Sequence, residues 1–552
     1  MTPPADRTSS NWTAPALGAL AAGLVAALAA VGWTAGAGVP YPVAAVAAEK
    51  ADDAPKLDLD GGVAWLNTAG PLTAKDLKGK VVILDFWTLC CINCIHILPD
   101  LAKLEKKYPN ELVVIGVHSA KFENEKDTKS IRKAILRYEI AHPVVNDADH
   151  KIWDRYSVNS WPTFAVFDPA GKLVGVTSGE GQYEVLERAV AKLVEKHKGD
   201  KTLDLKPTRF DLVRFREKGD TPLFFPGKIL ADDKGKRLFI SDSTHHRVVV
   251  TDLDGQKLAV AGTGSPGKKD GKFADAQFDD PQGLALDGDT LYVADRKNHA
   301  IRALDLKAGT VSTVAGTGSQ SQESRMMDRP DKATDVGLNS PWDILLVGKD
   351  LFIAMAGHHQ IWKMDLEKKL IGPYAGDGRE NIKDGPLYAA NFAQQSGLTT
   401  DGKFLYVADS EVSAVRKVPL NGEGRVETVV GLGLFDFGDK DGTGKEVRIQ
   451  HALGVAAHDG KLVVADTYNS KLKLLDPKTK KCDTIDIKDG KEPAFNEPAG
   501  ISIAGGKAYV ADTNAHRIRV VDLASNKVTT LELKGVEPPP PQKEWLPPVE
   551  KK

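Results

Sequence analysis

Three cysteines fall within five residues, Cys90, Cys91 and Cys94, in the run VVILDFWTLCCINCIHILP at 81–99. The apolar residues 81–86 predict a buried strand that ends at Trp87. Residues 95–108 carry helical spacing, with Ile97, Leu98, Leu101 and Leu104 on one face. Cys91-Ile92-Asn93-Cys94 is therefore a C-x-x-C pair at a strand-to-helix junction. Unpaired N–H groups and the helix dipole stabilise a thiolate there and lower the pKa of the first cysteine. The thiolate is the species that attacks a disulfide. One helical turn brings the second cysteine close enough to close a ring with the first. On this chemistry Cys91 is the attacking sulfur and Cys94 the resolving one. Asp85 sits in the continuous apolar strand, so its pKa is expected to be raised, and it could accept the proton of Cys94 at the resolving step. The alternative for Asp85 is a solvated or salt-bridged carboxylate at the strand end.

The elements that must hold this segment alternate between strand and helix. Strands are predicted at 63–66, 81–86, 112–118, 143–146, 163–167 and 173–178. Helices are predicted at 127–138 and 183–196, with a helical turn at 151–156. Asp168-Pro169-Ala170-Gly171 is the turn between the last two strands. This alternation implies an α/β layer fold with a mixed sheet over residues 59–200.

These residues resemble the thioredoxin-like family. Asp85-Phe86-Trp87 precedes the cysteines as that family's buried acid and aromatic pair do, and Pro99 lies where the family kinks its active-site helix. Trp161-Pro162-Thr163 opens a strand where the family carries a cis-proline facing the cysteines. The resemblance implies that Pro162 is cis and leaves a backbone edge free to pair with an extended substrate. Trp87, Trp161 and Thr163 are the supporting residues it implies. Cys90 departs from the family, which commonly has an aromatic residue there. It could bond Cys94, serve as a second resolving group, or be inert. A metal reading would use Cys90, Cys91, Cys94 and His96 for Cu(I) or Zn(II), but no second ligand pair at metal spacing appears, and no metal or other cofactor is expected. Thr88-x-x-Cys91 also fits a peroxidase nucleophile, though Leu84 stands where that family has proline.

Composition narrows the partners. Lys and Arg number 73 against 75 Asp and Glu, which argues against nucleic acid as the main partner. Four cysteines in 552 residues are no disulfide scaffold, and Cys482, alone, is read as an ordinary thiol. Between Arg7 and Glu49 there is no charged side chain, and 16–31 is an apolar core rich in Ala, Leu and Val. Residues 1–48 are expected to be a cleaved signal peptide or an uncleaved membrane anchor over 14–39, followed by a linker at 49–58. Either would make the rest extracytoplasmic, periplasmic or secreted, where disulfide chemistry is at home.

After residue 198 helical periodicity gives way to short strands that repeat. LFISD (238–242), LYVAD (291–295), LFIAM (351–355), LYVAD (405–409), LVVAD (462–466) and AYVAD (508–512) recur at about fifty-residue intervals, the range of propeller blades. With a strand before each and two after, 205–535 reads as an all-β six-bladed propeller. The repeats resemble NHL repeats, Asn298-His299 and Ala515-His516-Arg517-Ile518 most clearly. The repeated Asp and His are expected to do one structural job six times rather than form a site. Met355 stands in place of the Asp in the third repeat, and the fourth and fifth lack the His. Residues 210–215 are a candidate strand to close the ring. The long loops 265–278, 318–339, 377–388 and 432–446 are candidate recognition loops. Residues 536–552 read as a Pro-rich disordered tail.

Together the two halves resemble the NHL-repeat-containing protein 2 family, a thioredoxin-like domain fused to an NHL propeller; Cys90-Cys91-Ile92-Asn93-Cys94 and Gly116-Val117-His118-Ser119 carry this likeness. The expectation is an exported thiol–disulfide oxidoreductase with the propeller as a protein- or peptide-binding platform. Its partners would be protein or peptide thiols and disulfides, a redox partner protein among them, and the membrane if the anchor is uncleaved. The alternative is a non-enzymatic scaffold whose cysteines are structural or bind copper or zinc.

Overall fold

The computed structural model describes residues 54–217, 219–323, 329–487 and 494–541. The segment read as a leader or anchor, the linker up to 53, and 542–552 of the tail lie outside the described residues. Among the described residues no helix is long and apolar enough to cross a membrane.

The first domain is a six-stranded mixed sheet with helices on both faces. Its elements are β1 (Ala64–Leu66), β2 (Val81–Trp87), α1 (Ile92–Lys107), β3 (Leu112–His118), α2 (Thr128–Arg137), β4 (Val144–Asn146), α3 (Lys151–Arg155), β5 (Thr163–Phe167), β6 (Leu173–Ser178) and α4 (Tyr183–Gly199). The strand order is β1-β4-β3-β2-β5-β6, with β2 parallel to β3 and antiparallel to β5. β2 reads as unbroken apolar because both its faces are covered. Val82, Leu84 and Phe86 pack with Val113, Ile115 and Val117 on one side. Val81 and Ile83 pack with Ile97, Leu101 and Leu104 of α1 and Leu186 and Val190 of α4 on the other. α1 starts three residues earlier than its apolar spacing suggests, because Cys91 caps it: the Cys94 N–H donates to Cys91 Sγ at 3.2 Å.

The second domain is a ring of six antiparallel sheets. Their inner strands are Pro226–Asp232, Pro281–Asp287, Pro341–Val347, Gln395–Thr400, Gly454–His458 and Pro498–Ala504. The strands converge closely at the axis: a Cβ on Gly283 would stand 2.5 Å from Asp343 Cα, and one on Gly500 2.6 Å from Lys228 Cα. Residues 210–215 do not form the expected closing strand. They hold a short turn, Val213–Phe215, whose first amide is taken by Asn67 Oδ1 at 2.8 Å. The ring closes instead by packing the sixth inner strand on the first. Residues 534–537 then cross to the first blade: Lys257 N–H donates to Lys534 O at 3.0 Å, Val536 is buried, and Arg247 donates to Glu537 O. The segment read as a tail therefore begins with anchored residues.

The repeated Asp is a clamp. One carboxylate oxygen of Asp242, Asp295, Asp409, Asp466 and Asp512 accepts the N–H of a residue just before the same blade's inner strand, at 2.6 to 2.8 Å. The other oxygen is met by Arg247, Arg302, Arg416, Lys473 or Arg517. In the third blade the Met355 sulfur accepts the equivalent N–H, from Asn339, at 3.3 Å. Trp362 there stands seven residues on, where Arg302 and Arg416 stand in their blades, so charge and countercharge are absent together.

The repeated His is a tie between blades. His246, His299, His359 and His516 each accept, through Nδ1, the N–H of a residue in the next blade, and Ser413 and Ser470 do the same through Oγ, at 3.0 to 3.3 Å. The last tie, His516 to Phe225, joins the sixth blade to the first. All six accepting residues and all six donors have positive φ, which sets the corner geometry.

Burial pushes His299 and His516 down to about 3 and His359 to about 4. Each is thus neutral when folded, and its contribution is present above about pH 6.5 and lost as pH falls toward those values. Between pH 6.5 and 5 the loss is about 2 kcal/mol per histidine. Replacing all three by Ser, as at 413 and 470, should flatten the fall of the thermal midpoint with acid; an unchanged slope would contradict this role.

Candidate active site

Cys91 and Cys94 form a disulfide at the start of α1, with Cα atoms 5.3 Å apart. Cys91 is half-buried and Cys94 buried. The Cys94 N–H aimed at Cys91 Sγ belongs to the open first turn of the helix, where it favours a thiolate once the bond is reduced. Trp161–Pro162 is a cis peptide. Thr163 pairs with Phe86, so this peptide lies beside the end of β2 from which the cysteines emerge. Thr163 donates to Ser160 O at 2.8 Å, and Trp161 is half-buried against Trp153, with ring centroids 4.7 Å apart.

Asp85 is fully buried, and among the described residues neither carboxylate oxygen has a hydrogen-bond partner. Burial pushes it up to about 7, with His142 opposing the shift and Glu105 reinforcing it. It is thus shut off from bulk solvent and, among the described residues, has no ion-pair partner. Trp87 is buried beside it, edge-on to His118 at 4.8 Å.

Cys90 is a free thiol, buried at 3% exposure, and its sulfur lies 3.6 Å from Glu411 Oε1. Burial pushes its pKa well above the ordinary value, and Glu125 and Glu411 push the same way. His96 is not turned to the sulfurs: Nδ1 meets Glu180 at 2.6 Å and Nε2 meets Ser340 Oγ at 2.7 Å. Among the described residues no group of three or more His, Cys, Asp or Glu is arranged to hold a metal ion.

The propeller sits on this end of the first domain. Gln394 straddles the start of α1: its Oε1 accepts the Ile92 N–H, and its Nε2 donates to Cys90 O at 2.7 Å and Glu411 Oε2 at 3.2 Å. Glu411 pairs with Lys121 at 2.6 Å, both side chains nearly sealed from solvent. Asn124 donates to Glu497, Phe122 packs on Phe437 and Tyr468, and Gln320 reaches His96. Gln320 and Phe437 come from two of the predicted recognition loops. A groove remains beside α1, lined among others by His96, Lys103, Glu105, His142, Lys297 and His299.

Gln394, Glu411 and Lys121 escaped the sequence reading, yet a signal existed. The donor of each blade tie is Phe225, Asp280, Ser340, Gln394, His451 or Glu497, six different side chains at one repeated position. The backbone job there is constant, so the side chain is free to serve the neighbouring domain.

The geometry defines a class, a thioredoxin-like domain docked on an NHL propeller. A thioredoxin-like family model matches residues 79–173, and an NHL repeat model matches 278–304 and 495–521. Thiol-disulfide oxidoreductase YkuV of Bacillus subtilis is 30% identical over 141 residues, which is 25% of this chain and 94% of that protein. Through its first domain the chain belongs to the thioredoxin-like family, and its relatives over most of its length include proteins named NHL repeat-containing protein 2. That protein of Gallus gallus is 42% identical over 467 residues, 78% of this chain and 63% of the relative. Protein SUPPRESSOR OF QUENCHING 1, chloroplastic, of Arabidopsis thaliana is 45% identical over 438 residues, 76% of this chain and 41% of the relative. The chain thus spans only part of the length of these relatives.

Lys121→Met would leave Glu411 charged and sealed, at a cost of about 3–5 kcal/mol. Lys121→Met with Glu411→Leu should recover most of that in urea unfolding. Equal losses in the single and double variants would show that the pair does not hold the domains together.

Proposed function

We propose that this protein is an exported thiol–disulfide oxidoreductase in which Cys91 attacks, Cys94 resolves, and the propeller holds a protein or peptide partner near them. The observation that carries the reading is the disulfide at the head of α1 with an unpartnered, buried carboxyl group in the strand beneath it. In the reducing direction the Cys91 thiolate attacks a substrate disulfide; one substrate sulfur leaves as thiolate and the other stays bonded to Cys91. Cys94 then gives its proton to Asp85, and its thiolate attacks Cys91 Sγ. The Cys91–Cys94 bond forms, the mixed disulfide breaks, and the substrate leaves as a dithiol once its sulfurs take protons from water. The pair loses two electrons and the substrate gains them. Asp85 suits the acceptor's part because its pKa, raised to about 7 by burial, falls within the working range.

Export is supported by the uncharged stretch between Arg7 and Glu49, with 14–39 as a membrane anchor if it is not cleaved. Cys91 of intact cells should then react, after mild reduction, with a membrane-impermeant maleimide; labelling only after lysis would overturn this part.

One observation favours a second reading. Gln394 occupies the backbone at the start of α1, where a substrate could otherwise pair, which suits a scaffold with a structural disulfide. Trapping separates the two. With Cys94→Ala, mixed disulfides should accumulate on Cys91 and vanish in Cys91→Ser. No adduct under oxidising or reducing buffers would leave the scaffold.

A further inference from the structure

A proton delivered to Asp85 must still leave a sealed site, and the residues around it suggest how. β2, β3 and β4 are parallel neighbours, with Asp85 opposite Gly116 and Gly116 opposite Val144. These three lie side by side on one face of the sheet, and His142 stands two residues before Val144. A Cβ at Gly116 would meet Trp87 Nε1 at 2.8 Å and Val144 Cγ2 at 3.2 Å, so the indole lies over the bare glycine.

Among the described residues both oxygens of Asp85, Trp87 Nε1 and His142 Nε2 are buried without hydrogen-bond partners, while His142 Nδ1 faces Glu105. Buried polar groups are nearly always paired, so orphaned atoms on Asp85, Trp87 and His142 together mark a built feature. They are also complementary: two acceptors, one donor, and an imidazole that can be either. A single internal water, which typically makes about three hydrogen bonds, could join them. Beyond His142 the path opens. Its Nδ1 lies 3.6 Å from Glu105 Oε2, and Glu105, at 25% side-chain exposure, lines the groove beside α1.

The other titratable neighbour, His118, accepts the Leu89 N–H through Nε2. Burial holds it down to about 3, so it stays a neutral ring and takes up no second proton. Burial works against charge on His142 too, but Glu105 and Asp85 together hold its pKa above the ordinary value.

We propose that His142 and Glu105, with a bridging water, are the path by which the proton lost by Cys94 passes from Asp85 to the solvent in the groove. This rests on the thiol–disulfide reading above. The step balances: the Cys94 S–H bond breaks, Asp85 gains the proton, His142 takes it as Asp85 returns to carboxylate, and the groove water receives it past Glu105. His142 and Glu105 touch no reacting sulfur, so they are positioning and relay residues.

The test is stopped-flow reaction of the reduced full chain with excess dithiobis-nitrobenzoate. The first thionitrobenzoate leaves as Cys91 is modified, and the second leaves as Cys94 attacks that adduct. His142→Gln should leave the first release unchanged and slow the second about tenfold. Asp85→Asn should slow the second further, and His142→Gln should add nothing in that background. Glu105→Gln, on the groove wall, should slow the second release two- to threefold without disturbing the fold, and so decides the matter if His142→Gln alters both releases. An unchanged second release in His142→Gln and Glu105→Gln, or a His142→Gln effect fully additive with Asp85→Asn, would overturn the path. A wild-type chain that gives no second release would instead sink the thiol–disulfide reading, and the path with it.

Discussion

A carboxyl group sealed inside a sheet with nothing to bond sets the terms for the rest of the first domain. Burying an unpaired Asp costs several kcal/mol unless it gives up its charge. Asp85 meets that condition by titrating near neutrality. The sheet must therefore be well covered on both faces to shut bulk solvent out, and β2 is buried along its whole length. The same cover places α1 over the strand end, with the disulfide at its head. The cost of one buried acid and the chemistry of one cysteine pair follow from a single arrangement.

The propeller solves a different problem, rigid presentation. Asp clamps fix each blade to its own inner strand, and His or Ser ties fix each blade to the next. Because backbone groups carry the ties, the side chains at the six donor positions are free to differ. Most of those side chains meet the first domain: Ser340 reaches His96, Gln394 spans Cys90 and Ile92, His451 packs on Phe122, and Glu497 receives Asn124. The third blade shows the limits of the rule. It drops Asp and Arg together for Met355 and Trp362, because either charge alone would be stranded in the core.

Much of this was legible in the sequence, and what was not has a physical cause. Strands at 163–167 and 173–178 are found at those residues, since alternation around a Pro-Ala-Gly turn leaves little freedom. The isolation of Asp85 could be read because it interrupts an otherwise apolar run. Residues 210–215 misled because apolar alternation says nothing about where an amide goes, and here Asn67 takes it. Cys90 could not be resolved because its neighbour, Glu411, lies 321 residues away. Gln394 was hidden for the same reason: a polar residue before an inner strand looks like any turn until the other domain is placed on it.

The proposed chemistry requires Cys91 and Cys94 to be a reversible couple rather than a permanent staple. The most direct measurement is an equilibrium titration of the full chain in dithiothreitol buffers of graded potential, with thiols trapped by alkylation and counted by mass spectrometry. A single two-electron transition confined to Cys91 and Cys94, shifting tenfold in ratio for about 30 mV, is expected, with Cys90 and Cys482 remaining thiols throughout. A bond that stays closed across the whole range, or a Cys90–Cys94 product in its place, would contradict it.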